Sequence, residues 1–188
     1  ADARVVFGDS INLDEVYIAQ EGVFNSIIFG VQDFFTQLSN GNFANLTDET
    51  DSRAFVTGNL INFDTDERFD RPTFIHELTH VWQNQNVGPV YLSHALVAQA
   101  SEGYNYGYDE GGPTVTLNNA YYDGASETYY RGYIFGEGGK DELNAADGKF
   151  DKFNPEQQAQ ITMQYFARRV LDNQTPEQYE AWQQYIDV

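Results

Sequence analysis

Between residues 22 and 38 the apolar positions Phe24, Ile27, Ile28, Val31, Phe34, Phe35 and Leu38 recur at intervals of three and four. That spacing predicts an amphipathic helix packed on a core. Asn40-Gly41-Asn42 ends it, and the polar stretch to Ser52 reads as loop. Upstream, RVVFGDSINLDEVYI at 4–18 predicts two short strands around a Gly8-Asp9-Ser10 turn. Downstream, RAFVTGNLINF at 53–63 is β-rich, with Gly58-Asn59 placed to form a two-residue hairpin turn. A charged loop at 64–71 leads to Pro72, a favoured first-turn residue, and a helix predicted to about Gln85, before Gly88-Pro89. A second helix is expected over 92–102.

Residues 103–150 are rich in Gly, Tyr and Asp and predict long loops with a few short strands, an inserted lobe. Asn154-Pro155-Glu156-Gln157 then sets a cap residue, a proline at the first helical position and a glutamine at the third. The helix it opens should reach about Leu171. Thr175-Pro176-Glu177-Gln178 repeats the signature for a last helix to about Ile186. With no internal repeat, the expected architecture is a single α+β domain over 1–188: a small N-terminal sheet, a central helix and C-terminal helices.

Composition narrows the function. A 188-residue chain with 41% hydrophobic and 15% aromatic residues can bury a core without disulfides or metal, and is too apolar for a disordered acidic tail. Ten Lys and Arg stand against 29 Asp and Glu, a net charge of -19. Such a surface repels nucleic acid and anionic membrane. Apolar stretches such as 23–31 are too short and too interrupted to span a bilayer. There is no cysteine, hence no disulfide, thiol nucleophile or thiolate zinc site. The chain starts Ala1-Asp2-Ala3-Arg4 without an initiator Met or a signal-type apolar run, as in a mature or excised form. The compartment stays open, with a secreted or exported bacterial protein favoured over a cytoplasmic one, and the acidic surface weakly favours a monomer.

His76-Glu77-Leu78-Thr79-His80 carries the chemistry. On a helix, positions four apart leave the same face about 6 Å apart along the axis. Two imidazole nitrogens so placed can bind one zinc at roughly 2.0–2.1 Å. Glu77, beside the first ligand, is placed to reach a metal-bound water, take its proton and deliver it to the leaving group. Phe74, Leu78, Val81 and Trp82 anchor the helix, with Trp82 read as core packing, while Thr73, Gln83 and Val87 lie nearer the metal side.

Catalytic zinc normally takes three protein ligands. The extended pattern H-E-x-x-H-x-x-G-x-x-H fails, because Gln83 and Asn86 stand where it needs Gly and His. His94 is a lone helical histidine, more simply a hydrogen-bonded residue than a ligand. Carboxylates are better sources. Glu156 lies in a first helical turn, in phase with Ala159, Met163, Phe166 and Val170, and a carboxylate facing a core needs a partner. Its alternative role is to favour the helix dipole while solvated. Glu127, in Ala125-Ser126-Glu127-Thr128, is the second candidate. Carboxylates at 141–151 surround Gly148, but Leu143 and Ala145 stand where an EF-hand needs ligands, so no calcium loop is indicated.

HELTHVWQ at 76–83 followed by FNPEQQAQI at 153–161 resembles a group of bacterial zinc metallopeptidases. They are found as Vgr-related proteins and as core-domain proteins near contractile injection systems. FGDSINLDEV at 7–16 and GNLINF at 58–63 also resemble that group's N-terminal turn and the strand before its active helix. The stretches at 22–38 and 110–149 have no counterpart and look like insertions. The resemblance implies a zincin-like, gluzincin-type fold, with His76, His80 and Glu156 as Zn²⁺ ligands and Glu77 as the catalytic base.

The expected activity is metal-assisted hydrolysis of a peptide or protein substrate. A tetrahedral oxyanion needs a donor besides the metal, and Tyr104, Tyr106 or Tyr108 is available among the 13 tyrosines. Leu60 to Phe63, as an exposed edge strand, would pair with an extended peptide. The acidic charge is read as solubility. Two other classes compete: a non-catalytic zinc-binding adaptor or cargo module of a secretion apparatus, and a zinc amidase acting on cell-wall peptides.

Overall fold

The computed structural model describes residues 1–20, 54–63, 71–88, 91, 103–107 and 139–186. Around the Gly58-Asn59 turn, β2 (Phe55–Thr57) and β3 (Leu60–Phe63) form the expected antiparallel hairpin. Gly58 takes φ +63°, a conformation that costs a glycine little. A third strand, β1 (Tyr17–Gln20), joins β3 in parallel with Ile18 opposite Ile61. The order β1-β3-β2 makes β3 the central strand, which corrects the expectation of an edge at Leu60 to Phe63. Its backbone donors and acceptors are engaged by neighbours on both sides, so it offers no row for an added peptide.

The N-terminus also departs from expectation. Asp2–Phe7 forms a helix, α1, in place of the strand that the Val5-Val6-Phe7 run predicts. The deciding pattern is Ala3, Val6 and Phe7, spaced by three and four and all buried, while Val5 stays exposed. The Asp2 carboxylate accepts two hydrogen bonds from Arg71, at 2.6 and 2.8 Å, which pins α1 to the start of the next helix. A 3-10 turn at Leu13–Glu15 separates α1 from β1.

That next helix, α2 (Arg71–Val87), carries the His-Glu pair. Pro72 lies in its first turn, where a missing N–H is harmless, and Gly88 ends it at φ +86° with its N–H bonded to Asn84 O at 2.9 Å. Ile75, Leu78 and Val81 are fully buried, yet His76, Glu77, His80 and Gln83 are also largely shielded from solvent. The helix is therefore covered on its polar side as well as its apolar one. It packs against β2 and β3 and, most extensively, against α4 (Pro155–Phe166).

The start of α4 matches its sequence signature. Asn154 Oδ1 accepts from the Gln157 backbone N–H at 2.9 Å, and Gln157 Oε1 accepts from the Asn154 N–H at 3.0 Å. The chain continues from Phe166 through a wide π-type turn at Ala167–Leu171, so helical content does reach Leu171. The last helix, α5 (Pro176–Gln183), starts with the same cap built on Thr175 and Gln178.

One segment expected as loop and strand is helical. The helix α3 (Lys140–Ala146) puts Leu143 and Ala146 into the core that also contains Ile161, Phe166 and Trp182. The Tyr185 hydroxyl donates to Leu143 O at 2.5 Å. Leu143 and Ala146, with Phe150 packed beside them, thus join this segment to the main core. The expected helices at 22–38 and 92–102, the loops at 40–52 and 64–70, and residues 108–138 lie outside the described residues. Among the described residues no helix is long and apolar enough to cross a membrane. The described residues form a mixed fold, mostly helical with one small sheet.

Candidate metal centre

Two helices build the site. On α2, the four-residue spacing brings the rings of His76 and His80 to 5.1 Å between centroids, inclined by 80°. On α4, the capping box fixes the first turn, and Glu156 stands in that turn at 1% exposure. Glu156 Oε2 lies 3.3 Å from His76 Nε2 and 3.3 Å from His80 Nε2. The three ligand atoms all fall within 4.8 Å of one another. Four ligands at roughly 2.0–2.1 Å in a tetrahedron are separated by about 3.3 Å, so the two carboxylate–imidazole distances fit zinc. The donor set, two imidazoles and a carboxylate, fits it too. Of the third-ligand candidates, the structure brings Glu156 to the histidines; Glu127 and His94 lie outside the described residues.

Electrostatics tie the three together. Burial alone would push the Glu156 carboxyl up, but the His80 charge and hydrogen bonds from His76 and His80 hold it well below the usual carboxylate range. For His80, burial opposes protonation, yet the charge and hydrogen bond of Glu156, with smaller help from Glu77 and Gln83, raise it to about 9. Glu77 is outside the converging trio. Burial pushes its carboxyl up, the His76 and His80 charges pull it down, and Glu156 adds to the rise, so the net shift is upward. A carboxylate with that balance is a stronger base than an exposed one.

A second layer of side chains surrounds the trio. Gln83 Oε1 lies 2.8 Å from His80 Nδ1, and Gln83 Nε2 donates to Pro155 O at 3.0 Å and Gln158 Oε1 at 2.8 Å. The Tyr91 ring stacks on His80 with centroids 6.2 Å apart and 22° between planes. Tyr91 is 3% exposed, and its hydroxyl has no hydrogen-bond partner among the described residues. Burial, then the charges of Glu77 and Glu156, raise that hydroxyl above the ordinary tyrosine range.

The expected tyrosines separate. The Tyr104 ring sits 5.7 Å from that of His76, at the site. The Tyr106 hydroxyl accepts from Trp182 Nε1 at 2.8 Å, which commits it to the core. Tyr108 lies outside the described residues. Sequence reasoning placed Gln83 on the metal side without a role; its offset of three from His80 was the available signal. Gln158 was legible only as a neighbour of Glu156. Nothing local to Tyr91 points to the site.

Comparison of the chain with family models, with curated proteins and with solved structures gives no match.

Proposed function

We propose that this chain is a zinc-dependent hydrolase, a metallopeptidase of zincin-like fold, with His76, His80 and Glu156 as ligands and Glu77 as base. The observation that carries the reading is the convergence of Glu156 Oε2 on both histidine Nε2 atoms at 3.3 Å, from a helix 80 residues away in sequence. A buried carboxylate there is costly without a cation to meet it. Bound at these three residues, zinc would supply a Lewis acid that polarises a carbonyl and lowers the pKa of a coordinated water to about 7.

The chain's own residues supply the rest. The Glu77 carboxylate accepts the proton released as water attacks the carbonyl carbon, and returns it to the departing amine nitrogen as the C–N bond breaks. The Tyr91 hydroxyl, buried beside His80 and without a hydrogen-bond partner among the described residues, is the donor we assign to the developing oxyanion. Burial of Glu77 and the three ligand residues keeps bulk water from screening these charges.

The test is cleavage of an unstructured protein such as reduced casein by the zinc-loaded chain, with Glu77→Gln as control. Cleavage abolished by that substitution supports the reading. Full zinc occupancy with no cleavage of peptides or of peptidoglycan overturns the hydrolase and leaves a zinc-binding module.

A further inference from the structure

Gln83 is 2% exposed and its amide is fully engaged. Its orientation follows from partners that can act in one way only. A backbone carbonyl only accepts, so the group 3.0 Å from Pro155 O must be the Gln83 NH₂. Gln158 is fixed likewise: its NH₂ donates to Phe150 O and Phe153 O, each at 3.0 Å, which turns its Oε1 toward the Gln83 NH₂ at 2.8 Å. Three backbone carbonyls therefore leave Gln83 Oε1 facing His80 Nδ1. An amide oxygen cannot donate, so His80 Nδ1 must carry hydrogen. In the neutral ring the lone pair then sits on Nε2, the atom 3.3 Å from Glu156.

We propose that Gln83 is a positioning residue that holds His80 as the Nδ1–H tautomer and, through Pro155 and Gln158, makes zinc affinity depend on docking of the 150–158 segment that carries Glu156. The proposal rests on the zinc reading above. It extends that reading from the ligands to the device that orients one of them. The histidine of α2 and the carboxylate of α4 share one support, because the carbonyl that orients Gln83 belongs to the residue before Glu156. A partner of a metal-bound histidine typically commands about 10–100-fold in affinity.

The experiment compares wild type with Gln83→Met, Gln83→Glu and Gln158→Met. Zinc affinity is measured by competition with a chromophoric chelator, alongside ¹⁵N NMR of the His80 ring in the zinc-loaded chain and thermal melts to establish folding. Gln83→Met should lose about 10–100-fold in affinity and shift the His80 Nδ1–H signature. Gln83→Glu keeps an acceptor for His80, so it should retain that signature, while its carboxylate faces Pro155 O and Gln158 Oε1 and lowers the melting temperature. Gln158→Met should fall between them in affinity. A folded Gln83→Met chain with wild-type affinity and an unchanged ¹⁵N signature would overturn the assignment to Gln83 alone. Failure of the wild-type chain to bind zinc would overturn the metal centre and this device with it.

Discussion

Replacing Glu77 by Gln separates catalysis, metal binding and folding in one substitution. Glu77 is 6% exposed on α2 and stands outside the three converging ligand atoms, so an isosteric amide leaves the cluster intact. General-base catalysis contributes about 10²–10⁴-fold, which at 1.36 kcal/mol per decade is about 3–5 kcal/mol of barrier. The kcat/KM for a fluorogenic peptide should fall by that factor while the zinc dissociation constant stays within about threefold. Stability should move the other way. Burial raises the Glu77 carboxyl in the metal-free chain, so above the unfolded pKa its ionised form costs folding energy. Gln removes that cost, and each 1 kcal/mol regained is worth about 2–4 °C in Tm for a chain of this size. The assay is therefore paired: turnover with zinc, and a melt in chelator. Full turnover would end the base assignment. Loss of zinc would place Glu77 among the ligands, and a lower metal-free Tm would contradict the electrostatic argument.

Glu156→Gln should weaken zinc by more than the roughly 100-fold that an outer partner commands, since it removes the anionic ligand itself, and a chelator competition reads this directly. In the metal-free chain, the His80 contribution to stability is complete below its unfolded pKa of 6.5 and is lost as pH rises through about 9. The lowered Glu156 carboxyl contributes above its unfolded pKa of 4.5, a contribution lost as pH falls below that. Melts in chelator should therefore peak between pH 4.5 and 6.5, and a flat profile from pH 6 to 10 would refute the coupling. Tyr91→Phe removes a buried hydroxyl with no partner among the described residues, so it should leave Tm unchanged or higher but cut kcat about 10²–10³-fold; unchanged kcat removes Tyr91 from the chemistry. Leu143→Ala should cost about 2–5 kcal/mol in a denaturant titration, because Leu143 is fully buried in the main core. A single two-state transition with an unchanged midpoint would instead set α3 apart from that core.

Legibility followed the range of the interactions involved. The α4 start was readable because Asn154, Pro155 and Gln157 act within one turn, and the hairpin because Gly58-Asn59 governs only its own strands. The His76/His80 pair was readable because α-helical geometry is local. Glu156 could be ranked from its phase on the helix, but its meeting with the histidines depends on packing between α2 and α4 that no local pattern encodes. The α1 misreading shows a local conflict. Val5-Val6-Phe7 has strand propensity, yet a buried Ala3–Val6–Phe7 stripe and the Asp2–Arg71 pair favour a helix. The central position of β3 depends on a parallel partner some forty residues earlier, and parallel pairing leaves no turn signal. Tyr91 was invisible for the same reason as Glu156, without an apolar phase to betray it.

The central claim is that His76, His80 and Glu156 hold one metal ion. Elemental mass spectrometry on protein purified without chelator or added zinc tests it most directly, with Glu156→Gln alongside. About one zinc per wild-type chain and a large loss in the variant are expected. Equal zinc in both would place the third ligand elsewhere, and no metal in the wild type even after zinc addition would contradict the account.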